Sequence, residues 1–176
     1  MMRAHVLVAV AILLLTAAAA RADVLRVSAS NAVVSPADGS GITKVVLEFD
    51  VSGMREGANR RIEEATLDWQ LPAMQSETRY SFKCFAATES WTETGVGENG
   101  SPTREADPRA EWDFEAADYE RIGEGLIRFY VRDLINEWES GSTPNHGLVI
   151  ELPGISRAGL SGELEGAVLT VRYGFR

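Results

Sequence analysis

An acidic stretch in the middle of the chain has the residue types that bind calcium. In residues 111–115, which read Glu-Trp-Asp-Phe-Glu, strand-like alternation places three carboxylates on one face, with like charges roughly 7 Å apart. Solvent and counterions can offset this repulsion, and so can a Ca²⁺ ion, which prefers oxygen ligands. The spacing is not that of an EF-hand loop, so both interpretations stay open. The candidate ligands are Asp107, Glu111, Asp113, Glu115 and Asp118.

Aromatic side chains form a second group of candidate binding residues. A flat ring exposed on a protein surface can stack against a sugar ring, which makes it a contact for glycans. Trp91, Trp112 and Tyr119 lie in or beside the acidic stretch and are the candidates for such a glycan platform, with packing as their alternative role. Trp69 and Trp138 lie on apolar stripes, so we expect them in the core.

Catalytic chemistry has less support in the sequence. After residue 22 the chain has one histidine, His146, so a histidine-rich transition-metal site is not available. The 26 acidic residues offer many carboxylate pairs for hydrolysis, but no motif singles out one pair. Gly95, Gly97 and Gly100 lie in an acidic loop that would repel phosphate. We therefore expect a protein that binds rather than catalyses.

The first 22 residues have the layout of a secretory signal peptide. Arg3 precedes an apolar run at residues 6–15, and small residues end at Ala22. Cleavage there would leave residues 23–176, which is the size of one domain. The apolar run is shorter than the roughly 20 residues that cross a bilayer. We expect a protein exported to the periplasm or the extracellular space, without a membrane span.

Charge and cysteine content narrow the choice of partners. Residues 23–176 contain 15 basic and 26 acidic residues, a net charge of −11 with histidine neutral. Such a surface repels phosphate backbones, so we expect no nucleic-acid partner, and polyanionic glycans are disfavoured unless a cation bridges them. Cys84 is the single cysteine and is expected to be a small buried residue rather than part of a disulfide.

The elements that would position these residues are mostly strands. Apolar residues alternate with period two in residues 44–50, where Val45, Leu47 and Phe49 share one face, and similar patterns recur along the chain. Residues 126–131 and 148–152 are almost continuously apolar, which predicts central strands covered on both faces. Seven or eight short strands separated by turns predict a β-sandwich or jelly roll.

One segment has helical spacing, and another is rich in turn-forming residues. Val131, Leu134, Ile135 and Trp138 recur at i, i+3, i+4 and i+7, which predicts a short helix that ends near Gly141. Residues 93–124 combine acidic and turn-forming residues and are expected to form a long solvated excursion. Functional residues tend to lie on such excursions.

Several short motifs, taken in order, resemble the DNRLRE domain family. Residues 127–138, followed by Gly141 and by Asn-His-Gly-Leu at residues 145–148, resemble its C-terminal signature of strand, short helix, glycine turn and strand. Residues 89–93 resemble its Trp-Thr-Glu turn, and residues 169–173 its last strand. Arg132 stands where the family usually has a threonine that caps the helix.

The resemblance implies a jelly-roll-like β-sandwich of the kind found on secreted and surface-attached bacterial and archaeal proteins, some of them carbohydrate-binding. It implies no known active site. We therefore predict an all-β, jelly-roll-like β-sandwich with one short helix, acting as a non-catalytic binding or surface-scaffold module that contacts glycan or cell-surface material. The alternatives are a small secreted polysaccharide-active enzyme and a purely structural protein of the envelope or extracellular layer.

Overall fold

The computed structural model describes most of the chain after the predicted signal peptide. The described residues are 23–36, 38–55, 60–70, 79–115, 126–156, 160 and 164–175. Residues 1–22, Asp118 and Tyr119 lie outside them. The described part contains nine strands: β1 Asp23–Ser28, β2 Asn31–Val34, β3 Ile42–Glu48, β4 Arg60–Gln70, β5 Arg79–Ala86, β6 Ala110–Glu115, β7 Leu126–Tyr130, β8 Leu148–Pro153 and β9 Val168–Phe175. It also contains two helices, α1 Glu93–Asn99 and α2 Arg132–Ser140.

The strands form two antiparallel sheets that enclose one hydrophobic core. Sheet A has the order β1-β9-β4-β7, and sheet B has the order β2-β3-β8-β5-β6. Alternate residues of each strand point into the core, as the period-two pattern predicts. Trp69 and Phe129 of sheet A and Phe82 and Ile150 of sheet B are among its fully buried members. The predicted all-β sandwich is confirmed.

The two nearly continuous apolar runs have different positions. β8 lies in the middle of sheet B, and Leu148–Leu152 are all buried, as predicted. The prediction for residues 126–131 is wrong, because β7 lies at the edge of sheet A among the described strands and its Tyr130 is exposed. Ile127 and Phe129 face the core, whereas Arg128 and the exposed Tyr130 face outward. The strand resembles a doubly covered one in sequence because Tyr130 is aromatic, although its ring faces solvent.

The outer face of sheet B is covered by residues 88–109, which include α1. Val46, Val149 and Phe85 are neighbours in register across β3, β8 and β5, and all three are buried although they face away from the main core. α1 contacts β2 and buries Val96. The expected solvated excursion is found only in part, because Val96 and Pro102 are buried while Glu98, Asn99 and Asp107 are exposed. The segment packs on the sheet as a partly solvated cover. Residues 116–124 lie outside the described part.

α1 begins at a side-chain cap. The hydroxyl of Thr92 accepts the N–H of Gly95 at 3.0 Å, which satisfies one of the free donors in the first turn. Two glycines lower the intrinsic helix propensity of this segment, so its packing on the sheet must contribute to its stability. The sequence pattern predicts a turn here and not a helix.

α2 is the helix that the apolar spacing predicts. It buries Leu134, Ile135 and Trp138, and Gly141 ends it in the left-handed conformation at φ 73°. Val131 occupies the N-cap position without a side-chain hydrogen bond, so the first turn of α2 has no side-chain cap. Neither α1 nor α2 is long and apolar enough to cross a membrane.

A row of alternating charges crosses the outer face of sheet B beside the buried valines. Lys44 of β3 is in register with Glu151 of β8, Glu151 with Lys83 of β5, and Lys83 with Glu111 of β6. Opposite charges directly across a strand pair stabilise a sheet by roughly 0.2–1 kcal/mol each. The row therefore supports the pairing of these four strands.

Candidate functional site

The outer face of sheet A is the surface on which polar side chains surround an exposed aromatic ring. Arg26, Thr170, Thr66 and Tyr130 lie in register across β1, β9, β4 and β7. The Tyr130 side chain is 59% exposed. Among the described residues, Val24 is the only other large hydrophobic residue that is exposed. We call this surface the Tyr130 face.

An arginine–carboxylate pair lies next to Tyr130 on the same face. Arg128 Nε and Nη2 donate to the two carboxylate oxygens of Asp68 at 2.6 and 3.0 Å, which is a bidentate geometry. The hydrogen bonds with Asp68 raise the pKa of Arg128, and the Tyr130 hydroxyl adds a smaller contribution. The pair holds donors and acceptors in fixed positions beside the ring, so they can meet the hydroxyls of a ligand.

A cleft of about 370 Å³ opens beside Tyr130, between β4 and the first turn of α2. Charged side chains dominate its walls, and two of them, Arg132 and Asp133, pair with each other at 3.2 Å. The polar or aromatic side chains of the cleft are Glu63, Glu64, Arg109, Tyr130, Arg132 and Asp133. The cleft extends the Tyr130 face past the end of the sheet.

Arg109 joins the cover of sheet B to α2 at the far wall of this cleft. Its guanidinium donates to Glu105 at 2.5 and 2.6 Å and to Glu137 of α2 at 2.8 and 2.9 Å. Thr143 also donates to Glu137 at 2.9 Å. The Arg109 hydrogen bonds lower the pKa of Glu137, partial burial opposes this, and Thr143 assists it. Arg109 therefore positions the cover of sheet B against α2.

Trp91 lies in a second cleft, which belongs to the cover. Its indole N–H donates to the backbone oxygen of His146 at 2.8 Å, and the ring is half-buried. The cleft has a volume of about 590 Å³. We call it the Trp91 cleft, and its polar side chains are those of Glu89, Ser90, Thr92, Asn99, Ser101 and Thr103. The structure thus brings one predicted ligand-binding residue to a cavity.

Trp112 lies on β6, the edge strand of sheet B, in register with Phe82. Its ring packs against the core, and the indole N–H is buried without a hydrogen-bond partner among the described residues. Packing thus accounts for its position, and a ligand role for Trp112 stays a prediction. Tyr119, the third aromatic candidate, lies outside the described residues.

The candidate calcium ligands are only partly described. Glu111 pairs with Lys83 at 3.7 Å, Asp113 is opposite Ser81 in register, and Asp107 is exposed. For Glu115 the structure gives the backbone position in β6, and Asp118 lies outside the described part. Among the side chains that are described, no group of three or more His, Cys, Asp or Glu is arranged to hold a metal ion. Calcium binding by the full set stays a prediction.

Comparison with known proteins assigns no family. No protein-family model matches the chain, and no curated protein is significantly similar to it. The interpretation of the two surfaces therefore rests on their own geometry and chemistry.

Tyr130 is the functional candidate that the sequence does not reveal. The strand that carries Tyr130 is almost continuously apolar, and such a run predicts that both faces are buried. The available signal is Arg128, which shares a face with Tyr130 because the two residues are two apart. A charged residue on that face indicates that the ring beside it also faces solvent.

Proposed function

We propose that this protein is a non-catalytic glycan-binding module and that the Tyr130 face is its binding surface. The observation that carries the proposal is the exposed Tyr130 ring, which lies beside the Asp68–Arg128 pair on the outer face of sheet A. An exposed ring lacks the favourable free energy of burying its apolar area. A sugar stacked on the ring would bury that area. The Asp68–Arg128 pair beside the ring can supply hydrogen bonds to sugar hydroxyls, and the half-buried Thr170 adds a hydroxyl two strands away.

The charges of the face favour a neutral glycan. Arg128 is paired with Asp68, and Arg172 is paired with Glu64 at 3.2 Å. These pairs neutralise most of the charge locally, while the whole chain carries a net charge of −9 that repels polyanions. An uncharged chain of sugar hydroxyls can hydrogen-bond to these paired side chains without breaking either salt bridge.

The sequence supports the same proposal. The strand that carries Tyr130 belongs to the segment that resembles the DNRLRE signature, and that family includes carbohydrate-binding modules. The signal-peptide pattern of residues 1–22 would deliver the protein to where polysaccharides are found. We therefore place this module outside the cytoplasm, in contact with glycan or other cell-surface material.

Chemical-shift mapping with soluble neutral polysaccharides tests the proposal at the level of single residues. We expect the amides of β7, β4, β9 and β1 that surround Tyr130 to shift on adding the glycan. Tyr130→Ala should weaken the binding that causes these shifts at least tenfold, which corresponds to about 1.4 kcal/mol, whereas Tyr130→Phe should retain most of it. Val24→Ala, on the same face, is the matched control.

Two results would contradict this proposal. In the first, no neutral glycan of the panel shifts the amide resonances of sheet A. In the second, Tyr130→Ala binds the glycan with the same affinity as wild type. Repeating the titration with Ca²⁺ and with a chelator tests the calcium hypothesis in the same samples. A dependence on Ca²⁺ would assign the ion a role in binding.

A further inference from the structure

We propose that the Trp91 cleft is a second glycan-binding site on the opposite side of the sandwich, so that one molecule bridges two glycan chains. This inference rests on the proposed function of the Tyr130 face. It adds a second site of similar chemistry and a consequence, cross-linking, that one site on a monomer does not produce.

The Trp91 ring is held in place before any ligand arrives. Its N–H donates to the His146 carbonyl oxygen at 2.8 Å, so the indole has little rotational freedom to lose on binding. Thr92, next along the chain, caps α1 and fixes the turn that carries the ring. A half-buried indole anchored in this way presents its remaining surface to the cleft of about 590 Å³.

The lining of the cleft suits an uncharged, hydroxyl-rich ligand. Hydroxyl groups and the Asn99 amide can each donate and accept hydrogen bonds, as sugar hydroxyls do. Glu89 is the single ionisable side chain of the described lining, and it already accepts the N–H of Thr103 at 2.7 Å. The backbone and side chain of Thr103 lower the pKa of Glu89.

The two sites belong to different sheets. The Trp91 cleft belongs to the cover on the outer face of sheet B, whereas the Tyr130 face is the outer face of sheet A. Stacked sheets lie about 10 Å apart, and a helix adds about 10 Å, so roughly 20 Å of protein separates the two surfaces. A glycan segment lying on one surface does not reach the other, and simultaneous occupancy therefore joins two separate segments.

A capture assay tests the bridge directly. One neutral polysaccharide is immobilised, the protein is added, and retention of a labelled soluble sample of the same polysaccharide is measured. We expect wild type to retain the label. Tyr130→Ala and Trp91→Ala should each still bind the immobilised polysaccharide but reduce label retention at least tenfold, and the double variant should bind neither.

A second variant protects the test from a folding defect. Asn99 is exposed and lines the cleft, so Asn99→Leu should remove the amide that can bind sugar hydroxyls while leaving Trp91 and its hydrogen bond intact. It should reduce label retention at least tenfold, as Trp91→Ala does. Light scattering on the same samples must show monomers, because a dimer joined through other surfaces would also retain the label.

The outcomes separate this inference from the proposed function. Full label retention by monomeric Trp91→Ala and Asn99→Leu overturns the second site and leaves the Tyr130 face in place. Complete loss of binding in Tyr130→Ala alone does the same, because it shows a single site. Failure of wild type to bind any neutral polysaccharide overturns both.

Discussion

The guanidinium carbon of Arg104 lies 3.6 Å from the centroid of the Phe85 ring. The same guanidinium donates from Nε to Glu151 at 3.1 Å and from Nη1 to the backbone oxygen of Glu105 at 2.9 Å. Phe85 and Glu151 belong to sheet B, and Arg104 belongs to the cover. One side chain therefore attaches the segment that carries the Trp91 cleft to the sheet beneath it.

Arg104→Ala should destabilise the protein by about 2–4 kcal/mol, because it removes a cation–π contact and the guanidinium that hydrogen-bonds to the buried Glu151 carboxylate. Chemical denaturation measures this change. Arg172→Ala is the matched control, since its pair with Glu64 is exposed and should be worth under about 1 kcal/mol. Equal effects of the two substitutions would contradict the role assigned to Arg104.

Glu137 should make stability depend on pH in the acid range. Its folded-state pKa is held below the usual value of 4.5, chiefly by Arg109, so its contribution is complete above that value and is lost as pH falls through the lowered pKa. Glu137→Gln should therefore be less stable than wild type at pH 7. The difference should narrow steadily below about pH 4.5.

Urea denaturation at several pH values checks this prediction. Glu139→Gln serves as control, because Glu139 lies on the same helix and forms no ion pair with the described residues. If the difference between Glu137→Gln and wild type stays constant from pH 7 to pH 3, the Arg109 contact does not control the titration of Glu137.

Two glycines with positive φ should differ in their tolerance of a side chain. A Cβ on Gly147, at φ 86°, would overlap the Leu47 carbonyl oxygen, whereas a Cβ on Gly141, at φ 73°, would meet no atom within 4 Å. Gly141→Ala should cost about 1 kcal/mol for its left-handed conformation alone. Gly147→Ala should cost about 3 kcal/mol or more, because backbone must also move. Thermal and chemical denaturation of the two variants give the comparison, and equal losses would contradict the close approach at Leu47.

Cys84 should be unreactive while the protein is folded. The thiol is fully buried in the core, and burial raises its pKa to about 12, so at pH 8 it carries almost no thiolate. A thiol reagent at pH 8 should label the native protein at least a hundredfold more slowly than the protein in denaturant. Rapid labelling without denaturant would show that β5 opens readily.

The sequence predicts the sandwich because a strand that buries one face has apolar residues at alternate positions. This period-two pattern can be read from the sequence alone. It also predicts α2, since Leu134 and Trp138 share a stripe and Gly141 ends the helix. The arrangement of the edges is not predicted, because β7 and β8 are both nearly continuous apolar runs. Their difference depends on which strands lie beside them, and that information is long-range.

The candidate site is predicted in part for the same reason. Trp91 is identified from its residue type and its neighbourhood, and the structure places it in a cleft. Tyr130 is missed, since only the position of β7 at the edge of sheet A leaves its ring exposed. The cover is missed because α1 contains two glycines, and its stability comes from Val96 packing on sheet B rather than from local propensity.

The alternation of lysines and glutamates across sheet B also affects which strand encounters can persist while the chain folds. If β3 paired directly with β5 in the register that each has with β8, Lys44 would lie against Lys83. If β8 paired with β6 in the register that each has with β5, Glu151 would lie against Glu111. Both mispairings bring like charges together, whereas each native neighbour brings opposite ones. The row therefore penalises trapped intermediates with the wrong neighbours and limits misfolding of a sheet whose strands are far apart in the chain.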